Sequence, residues 1–146
     1  MAADELICDG TNYLRETCMG SILIIEHTEA VRVLFRTILE QAGYTVVEAS
    51  NGNEGIRLFH EAPTDVVITD MYMPYPDGLE VIRKLRAHFP ALKILAVSGT
   101  DGPGGMLTAA KAMGADEILP KPLGVEELLT GVSNLCGRAP SRASSP

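Results

Sequence analysis

Five positions carry side chains that could act together. Glu26 and His27 follow the run Ile22-Leu23-Ile24-Ile25, and Asp70 comes just after Val66-Val67-Ile68. Ser98 follows Ile94-Leu95-Ala96-Val97, and Lys121 stands just past Ile118-Leu119. Short runs rich in β-branched residues read as buried strands. In an open parallel sheet, ligands bind beyond the carboxyl ends of the strands, so these residues would converge on one rim. Asp70 supplies a carboxylate nucleophile, and Glu26 can help hold a hard cation through oxygen. Lys121 can neutralise phosphoryl charge, and Ser98 can donate a hydrogen bond to a phosphoryl oxygen. The chemistry such a rim suits is phosphoryl transfer to Asp70.

The elements that must position these groups alternate along the chain. Thr45-Val46-Val47 adds a fifth strand, and all five are expected to be buried on both faces. Between the first two strands, Val31, Leu34, Phe35, Ile38 and Ala42 recur at helical spacing, with Gly43 where a C-terminal cap belongs. Helices are also expected at 54–61, at 79–88 on a face of Leu79, Ile82 and Leu85, and at 106–113 ahead of Gly114. A last helix carries the stripe Val125, Leu128, Leu129, Val132 and Leu135, with Glu126 and Glu127 near its N-terminus, where the macrodipole favours acids. Five strand-helix alternations predict an α/β fold, a doubly wound five-stranded parallel sheet with helices on both faces.

Composition bounds the function. The 146 residues suit about one domain, and 46% hydrophobic residues are enough for a substantial core. Twelve basic against 19 acidic residues give a net charge of -7, so direct nucleic-acid binding and attraction to an anionic membrane are disfavoured. No apolar stretch approaches the ~20 residues that span a bilayer, and the N-terminus lacks a secretory pattern. Cys8, Cys18 and Cys136 form no CxxC pair and read as free thiols in a reducing cytoplasm.

The segments ILIIEHTEAVR, VVITDMYMPYPDGLE, LAVSG and LPKPL, in that order, resemble a receiver domain of bacterial two-component response regulators. That resemblance implies the flavodoxin-like (βα)5 receiver fold. It also implies a phosphoryl group accepted on Asp70 from a sensor histidine kinase or phosphotransfer protein, with signalling to an unknown downstream protein through protein contacts. Lys121 would be the phosphate-sensing lysine and Ser98 the switch hydroxyl. Mg2+ would sit on Glu26, Asp70 and the backbone carbonyl of Tyr72. The chain would assist its own phosphorylation and dephosphorylation rather than turn over a substrate, and the Lys121–Pro122 bond would be cis.

Two positions depart from the family pattern. The usual pair of acids after the first strand is Glu26-His27, so a hard cation loses an oxygen ligand and Mg2+ should bind weakly. The usual aromatic three residues before the lysine is Ile118, so any signal would leave through the glycine-rich segment 98–105. These departures support the alternative of a degenerate receiver that binds a partner without phosphorylation. His27 could join Glu26 and Asp70 in a softer transition-metal site, but an exposed or hydrogen-bonded imidazole is the expectation. A flavodoxin-type phosphate site is disfavoured by the acidic EHTEA loop, which has no glycine, and a dehalogenase-type phosphatase by Tyr72 in place of a second acid. Residues 1–20 are expected to form an extension, 21–136 a stand-alone receiver domain, and 137–146 a flexible tail.

Overall fold

The computed structural model describes residues 20–99, 105–121 and 123–136. Strands β1 (Ser21–Ile25), β2 (Thr45–Ala49), β3 (Val66–Asp70), β4 (Lys93–Ser98) and β5 (Glu117–Pro120) alternate with helices α1 (Glu29–Gln41), α2 (Gly52–Glu61), α3 (Gly78–His88), α4 (Met106–Met113) and α5 (Val125–Cys136). All strand pairings are parallel and the order is β2-β1-β3-β4-β5. The topological switch therefore lies between β1 and β3, where a crevice opens at the strand ends.

Side chains alternate across each strand, which splits the core into two apolar layers. Leu23, Ile25, Val67, Ile94 and Ala96 face Phe59, Val81, Ile82, Leu85 and Ala110 of α2, α3 and α4. Ile22, Ile24, Val66, Ile68, Leu95 and Val97 face Phe35 and Leu39 of α1 and Leu128 and Val132 of α5. Burying one such side chain contributes about 1.5–3 kcal/mol. These layers hold the strand ends in register.

Burial on both faces holds for β1, β3 and β4 but not for β2 and β5. The strand order places β2 and β5 at the sheet edges, where each has one neighbour, and β2 alternates exposed and covered residues as an edge strand does. On α1 the buried positions are Phe35 and Leu39, four residues apart, while Leu34 is on the outer shoulder and exposed. Val125, at the first turn of α5, is also exposed.

The expected cis bond at Lys121–Pro122, the segment 1–19, the glycine-rich stretch 100–104 and the tail 137–146 lie outside the described residues. Among the described residues, the Tyr75–Pro76 bond is cis, and no helix is long and apolar enough to cross a membrane.

Candidate functional site

Register brings the site together. Ile25 pairs with Thr69, so the next residues, Glu26 and Asp70, stand side by side where β1 and β3 end. Asp70 pairs with Val97 on β4, and Ser98 pairs with Pro120, immediately before Lys121. Asp70 and Ser98 are the last residues of their strands rather than the first residues beyond them.

Glu26 is fixed from several sides. Its backbone N–H donates to the Ala49 carbonyl at 3.1 Å, prolonging the β1–β2 ladder, and its carbonyl accepts from Arg32 Nη1 at 2.8 Å. Arg32 is itself held by Glu48 at 3.0 Å. The Glu26 side chain folds back, with Oε2 accepting from the Thr28 N–H at 3.1 Å and Oε1 from Lys121 Nζ at 3.0 Å. Glutamate's extra methylene is taken up by this turn, which buries the carboxylate almost completely.

Asp70 is buried beside it. Its Oδ1 lies 3.5 Å from Lys121 Nζ and accepts a long bond from the Tyr72 N–H at 3.4 Å. Burial pushes the Asp70 carboxyl above the ordinary carboxylate range, the Glu26 charge pushes it further, and the Lys121 ammonium pulls it back. Lys121 is aimed by its own backbone, whose N–H donates to the Ser98 carbonyl at 2.7 Å. Ser98 is fully buried at the end of β4.

His27, the more exposed member, places Nδ1 3.5 Å from Asp70 Oδ2 and 3.7 Å from Glu26 Oε2. A shallow cavity of about 230 Å3 opens above these groups, lined by His27, Thr28, Asp70, Tyr72, Gly99 and Lys121. A larger one of about 390 Å3 lies alongside on apolar residues of α1, with Leu123.

Glu26, His27, Asp70 and Lys121 are thus brought together, with Tyr72 lining the cavity and Ser98 joined through its backbone. Ile118 packs into the apolar layer under α4, where it offers no ring to swing. Sequence reasoning missed Thr28 and Arg32. A threonine one residue ahead of a helix is a readable N-cap signal, but an arginine reaching back six residues to a carbonyl has no sequence signature.

Comparison with known proteins covers the same framework. The family model described as "Response regulator receiver domain" matches residues 22–133. Response regulator MprA of Mycolicibacterium vanbaalenii is 38% identical over 117 residues, 80% of this chain and 50% of that protein. MprA of Mycobacterium leprae is 37% identical over the same length, 51% of its chain. The chain therefore spans about half the length of these curated relatives. Among solved structures, a response regulator receiver domain protein from Clostridium thermocellum is 30% identical, covering 80% of this chain and 94% of that one with a TM-score of 0.76. The Vibrio cholerae chemotaxis protein CheY4 is 28% identical, covering 81% and 99% with a TM-score of 0.75. Since the matched span takes in all five strands except the first residue of β1, together with the rim they carry, the chain belongs to the response regulator receiver domains of two-component signalling.

Proposed function

We infer that this receiver accepts a phosphoryl group on Asp70 from a sensor histidine kinase or phosphotransfer protein in the cytoplasm and passes the signal on through protein contacts. The observation that carries this reading is the placement of Lys121. From the end of β5 its ammonium reaches Glu26 at 3.0 Å and Asp70 at 3.5 Å, two acids from other strands, at the floor of an open cavity. A bond from an Asp70 carboxylate oxygen to phosphorus would form as the phosphorus–nitrogen bond of the donor histidine breaks. Lys121 neutralises the added charge, and Ser98, next in sequence to Gly99 of the cavity wall, would donate a hydrogen bond to a phosphoryl oxygen. Residues 21–136 form the receiver unit in this reading, with 1–20 an extension and 137–146 a tail.

A cation at Glu26, Asp70 and the Tyr72 carbonyl would offset phosphoryl charge, but magnesium suits this donor set poorly. Magnesium requires near-octahedral oxygen coordination. Here one oxygen of each carboxylate faces Lys121, and an imidazole borders the others. The test is intact mass after incubation with acetyl phosphate and a divalent cation. A labile gain of one phosphoryl group in the wild type and none in Asp70→Ala is expected, and no gain in the wild type, or equal gain in both, overturns the assignment.

A further inference from the structure

Each buried carboxylate of the site stands between Lys121 and His27, and each also accepts one backbone N–H, that of Thr28 on Glu26 Oε2 at 3.1 Å and that of Tyr72 on Asp70 Oδ1 at 3.4 Å. Glu26 turns Oε1 to the Lys121 ammonium at 3.0 Å and Oε2 to His27 Nδ1 at 3.7 Å. Asp70 turns Oδ1 to Lys121 at 3.5 Å and Oδ2 to His27 Nδ1 at 3.5 Å. Lysine borders one edge of the carboxylate pair and imidazole the other.

The lysine edge is neutralised by the ammonium. On the imidazole edge, 3.5 and 3.7 Å are longer than the ~2.7–3.2 Å of an N–H···O bond, so His27 does not close these oxygens as a donor. The two distances from Nδ1 are close to those between donors that share one ion. With metal–ligand bonds of about 2.0–2.2 Å at tetrahedral angles, neighbouring ligand atoms lie about 3.3–3.6 Å apart. One ligand atom from each of Glu26, His27 and Asp70 falls within 4.8 Å of the others.

We propose that this pocket takes a divalent transition ion of the zinc and cobalt class in preference to magnesium, with His27 Nδ1 as a ligand beside Glu26 Oε2 and Asp70 Oδ2. The proposal rests on reading the same pocket as the receiver's cation site. Imidazole suits these ions, whereas magnesium favours carboxylate, carbonyl and water oxygens and gives up its water reluctantly. A tetrahedral ion needs three protein donors and keeps a fourth position, and the cavity bordered by Thr28, Tyr72 and Gly99 leaves room for that position. His27 is 43% exposed, which gives an ion a path in and lets the ring adjust by tenths of an ångström.

The test titrates the full chain with Co2+, read by its visible ligand-field absorption, with Mg2+ as competitor, for the wild type, His27→Asp and His27→Ala. Circular dichroism confirms that each variant folds. The wild type is expected to give a tetrahedral Co2+ spectrum that resists excess Mg2+. His27→Ala should bind Co2+ on the order of tenfold more weakly or worse, and His27→Asp should let Mg2+ compete on the order of tenfold better. Absorption from the cysteines, or from His60 and His88, whose rings meet at 5.3 Å, is recognised because it survives both substitutions. Equal Co2+ affinity and equal Mg2+ competition in all three proteins overturn the proposal. Acetyl phosphate labelling of the same samples separates it from the receiver reading. Labelled Asp70 without Co2+ selectivity defeats the ion assignment alone, whereas Co2+ bound through His27 with Asp70 never labelled defeats the phosphoacceptor reading alone.

Discussion

Asp70 is expensive to keep ionised. It is 4% exposed, with the buried Glu26 carboxylate beside it and a shared lysine as its nearest cation. Replacing it with asparagine keeps the shape, removes the repulsion and leaves Lys121 with Glu26 at 3.0 Å. Asp70→Asn is therefore expected to stabilise the fold by about 1 kcal/mol at neutral pH while abolishing phosphorylation, a trade of stability against function. The pH dependence has a definite sign. Because the folded-state carboxyl is raised by burial and by Glu26, the native state holds its proton more tightly than the unfolded chain. That advantage is full below the unfolded value and is lost as pH rises through the raised one. Urea denaturation over a pH series should find wild type and variant equal in acid and the variant ahead above that range, whereas a less stable variant at neutral pH would contradict the account.

At the scale of elements, the start of α3 fixes the floor of the site. Asp77 caps the helix, its side chain accepting from the Glu80 N–H at 3.0 Å, and Gly78 follows so close to β3 that an added Cβ would stand 2.5 Å from the Asp70 carbonyl oxygen and 2.6 Å from Met71 Cα. Glycine to alanine in a helix ordinarily gains about 1 kcal/mol. Here backbone atoms cannot step aside, so Gly78→Ala is expected to cost about 1–3 kcal/mol, read as a lower urea midpoint, and a neutral or stabilising result would show that α3 can slide. The sequence shows part of this design. Buried strands such as Ile22–Ile25 announce themselves by a run of β-branched residues, and Asn51-x-x-Glu54 and Asp77-x-x-Glu80 are capping patterns that place the starts of α2 and α3 earlier than apolar spacing alone suggests. What the sequence hides is neighbourhood. That Val47 sits on an edge strand depends on which strands flank it, and that Leu34 is exposed while Leu39 is buried depends on the angle at which α1 meets the sheet. Within the site, Asp70 and Lys121 are legible because each ends a strand run. The division of each carboxylate between lysine and imidazole is set by side-chain orientations that no spacing encodes.

For the whole molecule, the far end of the sheet carries an anchor as distinct as the site. Arg86, near the C-terminus of α3, donates Nη1 to the carbonyls of Pro90, at 2.9 Å, and Leu92. It donates Nη2 to the Gly114 carbonyl at 2.6 Å and to Asp116 Oδ2 at 3.0 Å. The same Asp116 oxygen accepts from the Ile94 N–H at 2.8 Å. One guanidinium thus ties the exit of α3, the entry to β4 and the turn from α4 to β5, where Gly114 adopts a left-handed conformation. Lysine cannot serve these four acceptors together, because its ammonium has three donors and no planar fork. Removing Arg86 leaves partly covered carbonyls and the Asp116 carboxylate short of donors, so Arg86→Ala is expected to cost about 2 kcal/mol, with Arg86→Lys recovering little of it. The loss should be uneven. Amide exchange is expected to accelerate first at Ile94, Ala115 and Asp116, whose N–H groups bond within this corner, and later at the β1–β2 pairing. Glu26, Asp70 and Lys121 lie at the opposite ends of the strands, so labelling by acetyl phosphate should persist in the variant under conditions where it remains folded. A stability change below about 0.5 kcal/mol, or exchange that quickens equally across the sheet, would show that the corner is held by its apolar packing and not by the arginine.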